Sequence, residues 1–274
     1  MPHPPCRRAL GTAAAAPLLA ALPALLLLGG APAARAALPD EIQVYVDDLN
    51  EPGRFSLQEH VNTTPVGSEV AAEPGQTVAA HGLRLTSEFA YGVTPDLEAG
   101  LYLPVVLNST ADASLAGLKL RLKWVPLRPA PDAAGWFAGV NGELSQVAPR
   151  YDGSRRGFEL RPILGWHDEQ WLWAVNPVLD FALSRPDRSQ PPEFQPAVKV
   201  ARTVAPGLQA GIEYYTDLGP LGDVESWREQ QHQLFLALDL DRKPWNVNFG
   251  IGYGLTAASD RWTVKMIIDV PLGW

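Results

Sequence analysis

Three histidines, His60, His81 and His232, and the carboxylates Asp217, Asp223 and Glu229 are the residues here that could support hydrolysis. That chemistry needs a nucleophile or an activated water beside a histidine and a carboxylate. The chain has no HExxH, P-loop, Rossmann glycine set or Asn-His-Ser pattern to organise one, so no catalytic residue, metal ligand or cofactor is assigned. The other chemistry is electrostatic. Lys119, Arg121 and Lys123 alternate along one stretch. Such a strip either pairs with acids on neighbouring strands, where Glu98 and Glu143 are placed to meet it, or guides anionic solutes.

These residues sit in a rhythm that runs from Arg54 to the last residue. Apolar and polar side chains alternate at period two, the mark of a strand with one wet and one dry face. The pattern predicts twelve strands, at 54–63, 83–92, 97–107, 115–125, 135–145, 156–167, 171–184, 194–204, 208–218, 232–241, 245–255 and 261–272. Breaks after even-numbered strands are mostly tight, such as Thr94-Pro95-Asp96 and Ala205-Pro206-Gly207. Those after odd-numbered strands are mostly longer. This asymmetry belongs to up-and-down transmembrane barrels with short periplasmic turns and long external loops. The fold class expected is therefore all-β, a single antiparallel barrel.

A soluble barrel or sandwich would turn the apolar face inward. The inverted arrangement is favoured by Trp124, Trp136, Trp166, Trp171, Trp173, Trp245 and Trp274, which gather at strand ends as an interfacial girdle does. The interior then holds Arg84, Glu88, Glu98, Lys119, Arg121, Lys123, Glu143, Glu159, Arg161, Lys199, Glu213 and Lys265, with Gln58, His60, Asn176, Asp180, Asp239, Asn248 and Asp269. Twelve strands lie between the number that fills a lumen with side chains and the number that leaves a water channel. The Gly250, Gly252, Gly254 row fits strand geometry inside a narrow lumen better than phosphate binding.

Residues 1–36 read as a cleaved signal peptide: Arg7 and Arg8, an uncharged apolar run, then Ala34-Arg35-Ala36. The rival is an uncleaved anchor, which Pro17, Pro23, Gly29, Gly30 and Pro32 oppose. Cleavage removes three arginines and Cys6, the only cysteine. It leaves 19 basic against 30 acidic residues, a net charge of −11. Such a chain is a poor partner for nucleic acid, and no disulfide or thiolate metal site is available. Residues 37–53 stand apart from the barrel of 54–274. They read as a periplasmic or lumen-entering lead-in, with a short periplasmic strand, a lumen plug or an extra barrel strand as the possible forms.

The stretch Tyr91-Gly92-Val93-Thr94-Pro95-Asp96-Leu97-Glu98-Ala99-Gly100-Leu101-Tyr102-Leu103-Pro104-Val105 resembles a hairpin of the outer-membrane barrels of the MetA-pathway of phenol degradation type. Thr203 to Glu213 echoes it. The resemblance implies an outer-membrane barrel that imports small, often aromatic compounds, and it brings no catalytic residues. Together these readings lead to a pore or transporter for small solutes in the outer membrane of a Gram-negative bacterium. Its partners would be membrane lipid and, through the terminal strand ending in Trp274, the barrel-assembly machinery. The alternatives are a closed structural or surface-interaction barrel, an outer-membrane hydrolase, or a secreted soluble β protein.

Overall fold

The computed structural model describes residues 40–71, 75–107, 113–130, 133–184 and 189–270. The expected leader and Trp274 lie outside them. The strands are β1 (Phe55–Val66), β2 (Leu83–Thr94), β3 (Leu97–Leu107), β4 (Ala113–Leu115), β5 (Gly117–Leu127), β6 (Gly135–Val147), β7 (Arg156–His167), β8 (Trp171–Ala182), β9 (Glu193–Ala205), β10 (Leu208–Asp217), β11 (Gln231–Arg242), β12 (Trp245–Gly254) and β13 (Trp262–Val270). Each pairs antiparallel with its sequence neighbours, except that β4 and β5 lie end to end along β3 and pair with it in turn. β1 also pairs with β13, through Leu57↔Val270 to Thr63↔Val264, so the sheet closes. The result is a transmembrane barrel of twelve strands.

One expected strand is split. The stretch read as 115–125 is β4 and β5, interrupted at Ala116, whose N–H donates to Pro104 O at 2.8 Å. Pro104 has no N–H for the ladder, so pairing with β3 passes from Leu115↔Val105 to Lys119↔Tyr102.

The barrel is inverted relative to a soluble one. On β5, Leu122 is 56% exposed while Arg121 is 6% exposed. The same contrast recurs on β11, where Leu234, Leu236 and Leu238 are exposed and Phe235 and Ala237 are buried. An outer face of leucine, valine and tryptophan is stable against hydrocarbon. Trp136, Trp166 and Trp173 stand in one row across β6, β7 and β8 at the short-turn end. Trp124, Trp171 and Trp245 are exposed at the same end. A second aromatic group was not read from the sequence. At the long-loop end Tyr253 meets Trp262 edge-on (4.9 Å), and Trp227 stacks on His232 (4.0 Å).

Gly252 shows how the lumen is filled. A Cβ there would lie 2.4 Å from the ring of Phe235, so the glycine on β12 makes room for the phenylalanine on β11.

Candidate functional site

The lumen holds a length of the protein's own chain. Residues 40–50 run through it from the long-loop end, where Asp40 O accepts from Asn62 (3.1 Å), to the short-turn end, where Asn50 N–H donates to Glu98 (2.7 Å). The chain then reverses at Pro52-Gly53, where Gly53 takes a φ of +80° and donates to Gly92 O at 2.8 Å, and enters β1. Residues 40–50 thus occupy the lumen as a plug.

An extended chain inside a barrel has no ladder of its own, so its backbone groups need other partners. Side chains of the wall supply them. Lys265 donates to Ile42 O (3.0 Å), Arg161 to Gln43 O (3.0 Å) and Lys123 to Asp48 O (2.7 Å). Asn176 bonds both the N–H and the carbonyl of Tyr45. Ile42, Val44 and Tyr45 are buried. The Tyr45 hydroxyl meets that of Tyr102 at 2.6 Å, and Arg161 stacks over its ring at 4.4 Å.

Charge holds the segment as well. Residues 40–51 carry five acids and no base. Asp40 meets Lys119 at 2.9 Å, Glu41 meets Arg161 at 3.6 Å, Asp47 meets His167 at 3.2 Å, and Asp48 meets Lys123 at 2.5 Å. Burial alone pushes the Asp40 carboxyl up. Lys119 and Arg84 beside it outweigh burial and hold it at about 2.

The expected interior residues all project into this lumen. Lys119 pairs with Glu143 (3.1 Å), and Arg121 bridges Glu88 and Glu98. Arg161 lies on Glu159 (2.7 Å) and Lys199 spans Glu213 and Asp239. Lys265 reaches Glu213 across two intervening strands. Arg84 is 3.9 Å from Asp40. The strip Lys119, Arg121, Lys123 is therefore engaged throughout, two of its members by the plug. A polar cavity of about 230 Å³ remains between plug and wall at the short-turn end, lined by Asp48, Gln58, Glu98, Arg121 and Asp269 among others.

The histidines are not brought together. His60 is fully buried in the lumen, 3.0 Å from Glu88. His232 faces outward, where its Nδ1 lies 2.6 Å from the Tyr214 hydroxyl and its Nε2 2.7 Å from Gln230. His81 is exposed in the β1–β2 connection. Asp217 accepts from Gly219 N–H and Glu229 from Ser226. Among the described residues no group of three or more His, Cys, Asp or Glu is placed to hold a metal. Sequence reasoning missed Asp40, Tyr45, Asp47, Asp48 and Tyr102. The available signal was the run of acids just before a barrel whose inward face carries lysine and arginine.

No protein family and no curated protein matches the sequence. Solved structures do match the fold. The COG4313 outer membrane channel from Pseudomonas putida F1 is similar with a TM-score of 0.54 at 12% identity, over 84% of this chain and 99% of that one. The NanC porin is similar with a TM-score of 0.53 at 8% identity, over 81% of this chain and 100% of that one. The chain thus has the fold of outer-membrane β-barrel channels.

Proposed function

We propose that this protein is a channel for small solutes in the outer membrane, closed at rest by residues 40–50. The observation that carries the reading is the manner of closure. The plug is a separate length of backbone held by side-chain hydrogen bonds and ion pairs, and the strands of the wall do not depend on it for their ladders. It can leave without unfolding the barrel. The fold likeness to two barrels described as a channel and a porin supports transport. The separation of His60 from His232 across the wall supports a role without catalysis.

The ion pairs that cross the lumen, Lys265 with Glu213 and Arg121 with Glu88, favour a second reading, a barrel that stays shut and serves structure or surface contact. Planar-bilayer recording separates the two. A channel gives discrete conductance steps that become larger and longer when Asp40, Asp47 and Asp48 are all changed to asparagine. Silence in both proteins would overturn the channel reading.

A further inference from the structure

One carboxylate stands on the wrong side of the wall. Along β1 the side chains alternate, with His60 and Asn62 buried in the lumen, so Phe55, Leu57, Glu59, Val61 and Thr63 face outward. Glu59 is the middle member of that row. Across the ladder it meets Ser87 on β2, which also points outward, between Leu85 and Phe89. Among the described residues, the other acidic or basic side chains on the outer faces of the strands are Arg156, Arg202, His232 and Arg242. Each of those stands at or near a strand end, and Arg202 rests on the ring of Trp171 in the short-turn girdle. Glu59 alone lies mid-strand.

That place is costly for an acid. A carboxylate is an acceptor only, with room for about four hydrogen bonds, and hydrocarbon supplies no donor. The Ser87 hydroxyl donates to Glu59 at 2.7 Å, and among the described residues it is the carboxylate's one hydrogen-bond partner. An ionisable side chain at such a depth marks contact with something other than lipid chains. The surroundings suit a close contact. Leu57, Val61, Leu85, Met266 and Ile268 around Glu59 are half-buried among their neighbours, so this part of the wall is flat. On β11, by contrast, Leu234, Leu236 and Leu238 stand out into the membrane.

We propose that the face around Glu59 is the contact of a two-fold dimer of this chain. The occupant must reach the middle of the membrane, which a lipid headgroup does not. A second copy does so by its topology, because it inserts with the same orientation and to the same depth. A two-fold axis along the membrane normal beside β1 then brings Glu59 level with its own counterpart. Two carboxyls placed side by side share a proton. The O–H of one donates to an oxygen of the other, and each keeps its Ser87 hydroxyl. The Glu59–Ser87 set thus completes itself without a second kind of chain. This surface lies outside the lumen, so the proposal goes beyond the channel reading and does not depend on the plug.

The test uses the full chain in phosphatidylcholine vesicles, in a Cys6→Ser background with one cysteine added on the outer wall. Val61→Cys lies one outward position from Glu59. Leu164→Cys on β7, on the far side of the barrel and 50% exposed, is the control. Expected on oxidation is roughly fivefold or more covalent dimer at Val61→Cys over the control, lost when Glu59→Leu is added and kept with Glu59→Gln, whose amide both donates and accepts. Leucine facing hydrocarbon is ordinary for this wall, so Glu59→Leu folds. Without any added cysteine, sedimentation in detergent micelles should give the mass of two chains for the parent and of one for Glu59→Leu. Equal cross-linking at the two positions, or a dimer as abundant in Glu59→Leu as in the parent, overturns the proposal. A parent that stays monomeric overturns it as well, and leaves lipid or another chain that brings a base as the occupant. The channel reading stands in each case.

Discussion

Asn176 holds Tyr45 by both backbone edges: its side-chain oxygen accepts from Tyr45 N–H at 2.6 Å, and its amide nitrogen donates to Tyr45 O at 3.1 Å. One buried amide thus does for the plug what a neighbouring strand would do. The two residues are 131 positions apart, so this contact ties the start of the chain to the middle of the wall and fixes the height of the plug.

Asn176→Leu keeps the size of the side chain and removes both bonds. Losing two buried hydrogen bonds disfavours docking by about 2 kcal/mol, roughly a thirtyfold rise in the undocked fraction. Single-channel recording should show a matching rise in open time. An unchanged record would mean that the other plug contacts suffice by themselves.

Asp40 gives the plug a pH dependence of stated sign. Its carboxyl is held at about 2 when docked, against an ordinary value of 3.8. A depressed carboxyl stabilises the docked state above the ordinary value, and that contribution is lost as the pH falls through the docked one. It amounts to about 2 kcal/mol. Attributable to Asp40, conductance stays flat from neutral pH down to about 4 and rises between about 4 and 2. Asp40→Asn leaks more at neutral pH and loses that part of the acid response. A variant with the same acid response as the parent would remove Asp40 from the latch.

Arg121 is the hub of the β1–β5 side of the lumen, bridging Glu88 and Glu98 with His60 behind Glu88. Arg121→Met leaves two buried carboxylates without their cation, at a cost of about 3–5 kcal/mol. Adding Glu88→Gln and Glu98→Gln removes the stranded charge and should return most of the loss. Urea unfolding in lipid vesicles measures both steps. A triple variant no more stable than the single one would show that packing around Tyr45 and Tyr102, and not charge, sets the stability here.

The barrel was legible because its rule is local. Lys119, Arg121 and Lys123 alternate with Leu118, Leu120, Leu122 and Trp124, and each pair of neighbours states the face. The pairing of the strip with Glu98 and Glu143 followed from strand order alone. The plug was less legible, since a chain held by Asn176, Arg161, Lys123 and Lys265 has no period to read. Ile42, Val44 and Val46 alternate, yet Tyr45, on the opposite parity, makes the deepest contacts. The alignment of prolines across β7, β8 and β9 was hidden for another reason. Pro162, Pro177 and Pro196 are plain in the sequence, but only the register of three strands aligns them. The split at Ala116 likewise depends on Pro104, which sits on another strand.

The inversion of the wall can be measured by depth. Leu236 lies midway along β11 and is 69% exposed, and Val204 lies near the short-turn end of β9, two residues from Arg202. An arginine facing lipid costs about 2–4 kcal/mol at the midplane and about 0–1 near the interface. Leu236→Arg should therefore lower stability in vesicles by several times as much as Val204→Arg. In a barrel with water outside, both substitutions would sit in solvent and cost little. Equal, small losses at the two depths would place the apolar face out of contact with hydrocarbon, and the channel reading would fall with it.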